Sequence, residues 1–138
     1  MAKYDAFGCY LEKGAVTYAQ VTNISGPGLS LDTEDVTSHD STGAWEEVVG
    51  TILRSGEVTM DIVYDPAGAT HANAGDGLLA DLVARTLITT FHLVFSDSPT
   101  NTEWDFNAFV VGFEPSAPVG GALTATVKFK LSGAPTLR

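Results

Sequence analysis

Three adjacent residues contain the side-chain types of a hydrolytic triad. His39, Asp40 and Ser41 follow one another directly in the chain. Side chains that are adjacent in sequence cannot adopt the relay in which an oriented base activates a nucleophile. The chain also lacks a Gly-x-Ser-x-Gly elbow and a glycine loop of the phosphate-binding type. We therefore predict no catalytic residues and expect a protein that is not an enzyme.

Metal-ligating residue types are present, but not at ligand spacing. His39, His71 and His92 lie far apart in sequence, and the single cysteine, Cys9, forms no Cys/His pair at zinc spacing. His92 falls inside a predicted strand, where a hydrogen-bonded structural histidine is the favoured interpretation. The acidic residues within 32–35 lack the spacing of an EF-hand calcium loop. The sequence predicts no metal and no cofactor.

Composition and charge restrict the class of protein further. The 138 residues include 17 Asp and Glu against 7 Lys and Arg, for a formal net charge of −10. Phosphate repels such a chain, which argues against sequence-independent nucleic-acid binding. Hydrophobic residues make up 44%, enough for one core, so a single domain over 1–138 is expected. No apolar run approaches the ~18–20 residues of a transmembrane helix, and no signal-peptide pattern is present, so we expect cytosolic synthesis and no membrane partner.

Alternation of apolar and polar residues is the dominant pattern, and it predicts β-strands. In the stretch 121–132, apolar residues interleave with Thr124, Thr126, Lys128 and Lys130. One face of such a strand lies on a core and the other faces water or a polar partner. The same reasoning predicts strands at 18–25, 31–37, 58–64, 87–96 and 102–114. Turns at 97–101 and 115–121 join the last three strands into an antiparallel meander.

One segment has helical spacing. Leu78, Leu79, Leu82 and Val83 predict a helix within about 70–85, with Asp76 or Thr70 at its start. The predicted fold is therefore mainly β: an antiparallel, barrel-like β-sandwich with one flanking helix and a long extended loop.

That long loop covers about residues 38–55. It is well beyond the ~4–6 residues usual for a connection, and it combines a tryptophan and aliphatic residues with exposed acids. Two interpretations stay open from the residues alone. The loop could cover a sheet edge of its own domain, or it could be an arm that contacts another subunit.

Several runs occur in a characteristic order. Residues 24–28 (ISGPG) precede residues 35–41 (DVTSHDS), 45–50 (WEEVVG) and 55–61 (SGEVTMD), and residues 64–66 (YDP), His71 and a leucine-bearing helix follow. In this order and spacing, over roughly residues 18–132, the chain resembles the major tail tube proteins of long, non-contractile-tailed bacteriophages. The Ala/Gly-rich helix start at 67–77 departs from the pattern and leaves the helix boundary open.

The resemblance implies a β-sandwich flanked by a helix, in hexameric rings that stack into a conduit for double-stranded DNA. Tape measure, terminator and baseplate proteins are the implied partners, and the implied location is the virion tail, assembled in the host cytoplasm. DNA is expected to pass without specific binding. Other ring proteins of related fold (a tail terminator or distal tail protein) and a ligand-binding β-sandwich are the alternatives. In the family, the long loop reaches into the neighbouring ring. Here that role falls on Ser38, His39, Asp40, Trp45, Glu46, Glu47, Val48, Val49, Ile52 and Leu53.

Overall fold

The computed structural model describes residues 3–73, 75, 77–95 and 102–137. Most of these residues lie in strands, and a short 3₁₀ turn occurs at Thr42–Ala44. The strands are β1 Tyr10–Lys13, β2 Val16–Thr17, β3 Val21–Ser25, β4 Ser30–Asp35, β5 Val48–Arg54, β6 Glu57–Val63, β7 Ile88–Val94, β8 Glu103–Ser116 and β9 Thr124–Leu137, and the helix α1 is Leu78–Ala84.

Seven strands form one antiparallel sheet in the order β2-β1-β7-β8-β9-β6-β3. The sheet curls so that β1, near one end, contacts β3 at the other end. It is a half-barrel that encloses the core on its concave side. The prediction of a mainly β, antiparallel, barrel-like fold with one helix is confirmed, and so is the meander of β7, β8 and β9.

The concave face is filled by the alternating apolar residues of the long strands. Val127 and Phe129 in β9 are completely buried, whereas Lys128 and Lys130 between them are exposed. At the centre, the rings of Phe91 and Phe129 meet edge to face with centroids 5.0 Å apart. This is the burial pattern that alternation predicts, because successive side chains of a strand point to opposite faces.

Helix α1 is shorter than the predicted 70–85 and begins at Leu78, with Gly77 in the N-cap position. Asp76, the proposed cap, lies outside the described residues. Glycine weakens helices, so the helix forms only where its side chains pack. Leu78 is buried in the core, and Asp81 forms a 2.9 Å ion pair with Lys13 of β1. In the part of the chain that the structure describes, no helix is long and apolar enough to cross a membrane.

Two further boundaries differ from the prediction. The stretch 38–55 is not a loop throughout, because β5 occupies Val48–Arg54 and pairs with β4. Its residues show no alternation because all seven are exposed, so neither face is selected to be apolar. The short strands β1 and β2 were not predicted, since four and two residues are too few to show a pattern. The predicted turn at 97–101 lies outside the described residues.

Candidate functional site

Strands β4 and β5 and the segment between them form a hairpin, residues 30–54, which we call the arm. The two strands pair only with each other, with Leu31 opposite Leu53 and Asp35 opposite Val48. Among the described elements, neither strand comes close to any other. The arm therefore projects from the half-barrel. Neither strand of the arm is paired with an edge strand of the half-barrel.

The outer end of the arm is ordered by its own hydrogen bonds. The backbone N–H of Val36 donates to the Glu47 carbonyl oxygen at 2.9 Å, and the Glu47 N–H donates to Thr37 Oγ1 at 2.8 Å. Ser41 Oγ accepts from the backbone N–H of Ser38 at 3.0 Å. Ser41 therefore contributes to a turn at the outer end of the arm.

All ten residues predicted to contact a neighbouring ring lie in the arm, and all are exposed. The apolar members are unusually so: Trp45 is 77% exposed and Leu53 81% exposed. Val48, Val49 and Ile52, which lie in β5 together with Leu53, are about half exposed. A group of large apolar side chains in water is the usual mark of a protein–protein contact surface. The structure thus brings the predicted residues together on one projecting element.

The base of the arm is a close crossing of backbone. Gly56 has φ +71°, and a Cβ on it would lie 2.6 Å from the carbonyl oxygen of Gly28. Only glycine accommodates both the left-handed conformation and the contact. The crossing fixes the direction in which the arm leaves the sheet. The nearby peptide bond between Gly26 and Pro27 is cis.

An apolar groove of about 820 Å³ lies beside this base. One wall is the arm, with Leu31 and Leu53, and the other is the end of β9, with Leu131, Pro135 and Leu137. Ile52 also lines the groove, so part of the exposed apolar surface of the arm borders it.

Two acidic side chains of the arm have hydrogen-bond partners within it. Arg54 Nε donates to Asp32 Oδ2 at 2.8 Å, and this hydrogen bond lowers the pKa of Asp32 and raises that of Arg54. The Thr37 backbone N–H donates to Asp35 Oδ1 at 2.8 Å, and hydrogen bonds from Thr37 lower the pKa of Asp35. Two of the acids considered above as calcium ligands, Asp32 and Asp35, thus have partners inside the hairpin.

A second group of residues was missed by the sequence reasoning. Glu12, His92 and Glu103 belong to β1, β7 and β8, and one donor atom of each lies within 4.8 Å of the others. Their separation in sequence conceals this contact, which depends on strand order and register. His92 alone was singled out, as a structural histidine.

His71 lies elsewhere and is almost completely buried, at 1% exposure. Its Nδ1 accepts from the backbone N–H of Asp65 at 3.2 Å, and its Nε2 lies 2.9 Å from the Ala19 carbonyl oxygen. Nε2 must carry the hydrogen, because a carbonyl only accepts. The ring ties the loop after β6 to the segment before β3.

Comparison with known proteins identifies the fold. The chain is similar to a chain of the virion of a native gene transfer agent (GTA) particle (TM-score 0.75, 15% identity, 99% of each chain covered). It is also similar to a chain of the tail of an empty GTA particle refined with C6 symmetry (TM-score 0.71, 14% identity, 99% of each chain). A third similar chain belongs to the sheath/tube terminator of an extracellular contractile injection system, PVC (TM-score 0.72, 13% identity, 100% of this chain and 98% of that one). No protein-family model matches the sequence, and no curated protein matches it. The chain has the fold of tail and tube proteins of phage-like particles.

Proposed function

We propose that this chain is a structural virion protein whose hexameric rings stack into a phage tail tube. The observation that carries the proposal is the arm, an apolar hairpin held away from its own domain on a tail-tube fold. The similarity to a chain of a GTA tail refined with C6 symmetry supports the sixfold ring. The sequence runs given above favour the long, non-contractile tails within this broader group.

The arm is the contact between successive rings in this proposal. A two-stranded hairpin without further packing is at best marginally stable in water. Docking would bury the exposed side chains of Trp45, Leu53 and their neighbours, at ~25 cal/mol for each Å² of apolar area. That gain offsets the entropy lost when the arm becomes fixed on its partner. The groove between the arm and β9 provides an adjoining apolar surface for the next copy.

The interior of the tube is a passage for double-stranded DNA and not a binding site. A basic lumen would bind DNA through counterion release and hinder its transit, whereas a subunit of net charge −10 repels it. The isolated protein should accordingly give no mobility shift with duplex DNA at low salt. A salt-dependent shift at micromolar protein would contradict the role as a conduit.

Tape measure, terminator and baseplate proteins are the further partners in this proposal. Assembly occurs in the host cytoplasm, and the chain has no enzymatic role.

A terminator ring is the second candidate. The similarity to a tube terminator extends over this entire chain, as does that to a cap of the anti-feeding prophage. A terminator closes one end of a tube and therefore forms a single ring, whereas a tube subunit stacks repeatedly.

Negative-stain electron microscopy of concentrated protein distinguishes these roles. We expect long tubes of stacked rings from the native chain, and no tubes from the double variant Trp45→Ser and Leu53→Ser. Val83→Ala is the control, because it trims a 69% exposed side chain on α1, outside the arm. Single rings from the native chain would indicate that it is a terminator and not a tube subunit. Tubes from the double variant, or monomers from the native chain at millimolar concentration, would contradict stacking through the arm.

A further inference from the structure

The convex face of the sheet places ligand-type side chains on three adjacent strands. In the β1–β7 pairing Glu12 stands opposite His92, and in the β7–β8 pairing His92 stands opposite Asp105. Glu103, two residues before Asp105, lies diagonally across from His92 and opposite Val94. Directly opposed and diagonal positions on one sheet face are within reach of long side chains. One imidazole is therefore surrounded by carboxylates from both neighbouring strands.

The distances within this group are short. His92 Nδ1 lies 2.9 Å from Glu103 Oε1 and 2.5 Å from Asp105 Oδ1. The side chains of His92, Glu103 and Asp105 are 26%, 28% and 23% exposed, so they are partly shielded from water but open to a small ion. Because both carboxylates accept, Nδ1 must carry a proton in the metal-free protein.

We propose that Glu12, His92 and Glu103 bind a divalent transition-metal ion of the zinc type. One imidazole with two carboxylates is a ligand set that Zn²⁺ accepts, and three protein ligands leave a fourth position for water. The imidazole favours zinc, copper or nickel over magnesium and calcium, which prefer oxygen ligands alone. The inference rests on this face of the monomer and is independent of tube assembly.

The metal would replace the proton that Nδ1 holds. Zinc lies ~2.0–2.2 Å from nitrogen and oxygen ligands, which at a tetrahedral angle separates the two ligand atoms by about 3.3–3.6 Å. The observed 2.9 Å between His92 Nδ1 and Glu103 Oε1 needs to widen only slightly. The ion would also relieve repulsion between carboxylates in a chain that already has net charge −10. Asp105 Oδ1, which contacts the same nitrogen, would then lose that proton as its partner, and it would turn away or take the fourth position on the metal in place of water.

Bound metal would link β1 to β7 and β8 on the outside of the half-barrel. Metal that binds only the folded chain stabilises it by mass action. At a zinc concentration near one hundred times Kd, this should raise Tm by about 5–10 °C.

Calorimetric titration of zinc chloride into tag-free, chelator-treated protein tests the site. We expect one ion per chain with a low-micromolar Kd, weakened at least tenfold by His92→Gln and by Glu103→Gln. His39→Gln is the matched control, because His39 is exposed in the arm, whose strands contact none of β1, β7 and β8. It should bind zinc like the native chain. Magnesium at the same concentration should give no saturable heat.

Cobalt provides a readout that a change in folding does not imitate. Co²⁺ bound to nitrogen and oxygen ligands in a tetrahedral site gives visible absorption, which should appear in the native chain and in His39→Gln but not in His92→Gln. The far-ultraviolet circular dichroism of the metal-free variants should match that of the native chain. No zinc heat up to 0.1 mM (roughly the concentration at which low-micromolar sites saturate) would overturn the proposal. Zinc binding that survives His92→Gln, or that is lost in His39→Gln, would overturn it equally.

Discussion

The arm and the half-barrel are both antiparallel β-structure, yet they use apolar residues in opposite ways. In β9, Val127 and Phe129 are buried by their own domain, and the residues between them are polar. In β5, Val48, Val49, Ile52 and Leu53 are all exposed, and apolar residues occupy both faces. The first pattern stabilises a monomer. The second leaves the monomer with unburied apolar surface that only another molecule can cover.

This difference separates two sources of stability. The half-barrel buries its own aromatic cluster and should fold cooperatively as one unit, whereas the two strands of the arm pair only with each other among the described strands. A substitution in the sheet should therefore affect folding, and one in the arm should affect association. Four measurements test this difference between the sheet and the arm, in order of decreasing expected effect.

Charge reversal on the two faces of β9 should give the clearest separation. Val127→Asp places a carboxylate at a fully buried position, and burying it without a partner costs several kcal/mol, a large part of a typical ~5–15 kcal/mol stability. We expect no soluble protein from this variant. Lys128→Asp, one residue along and exposed, should express and melt like the native chain. Equal yield and equal Tm for the two variants would show that the inward face of β9 has been misassigned.

Hydrogen exchange compares the two regions in a single sample. Amides of residues 38–53 should exchange quickly in the monomer, because no second layer packs on the arm. Amides of residues 125–131 in β9, in the middle of the sheet, should be protected and serve as the internal reference. Exchange of the arm should slow once tubes form. Arm protection that equals that of β9 in the monomer would mean that the arm is stable alone and does not depend on a neighbouring ring.

The same contrast explains what the sequence could and could not predict. Strands β6, β8 and β9 were predicted because each has one face on the core. Apolar and polar residues therefore alternate along each strand. Strand β5 has no buried face and hence no alternation, so its sequence predicts a loop. The ten residues predicted to contact a neighbouring ring all lie in the exposed arm, and their contact with another subunit stays a prediction.

The cluster around His92 was missed for a different reason. Glu12 and His92 become neighbours only because β1 pairs with β7, and strand order is a long-range property of the fold. No spacing rule relates residues 80 positions apart. The helix start was misplaced because glycines at 75 and 77 leave the boundary to tertiary packing, which sets it at Leu78.

Removal of the His71 ring should destabilise the half-barrel without affecting the arm. His71→Ala deprives the Asp65 N–H and the Ala19 carbonyl of their partner, and a buried group left unpaired costs about 1–3 kcal/mol. We expect Tm to fall by roughly 5–10 °C in thermal denaturation. His39→Ala, in the exposed arm, is the control and should leave Tm unchanged. An unchanged Tm in His71→Ala would mean that the ring does not tie these segments together.

The smallest effect should come from the Asp32–Arg54 pair of the arm. Its 2.8 Å hydrogen bond lowers the pKa of Asp32 in the folded hairpin below its ordinary 3.8, so the pair stabilises the arm above that pH. The contribution is lost as pH falls through the depressed pKa and Asp32 becomes protonated. Both side chains are substantially exposed, so solvent screens the interaction and Asp32→Asn should speed exchange of arm amides only about twofold at neutral pH. Asp40→Asn removes the same charge from the outer end of the arm and should change nothing. The difference between these two variants should shrink as pH falls through the lowered pKa of Asp32, because the native Asp32 then becomes neutral as well. If it persists undiminished, packing of the side chain and not its charge would be what stabilises the hairpin.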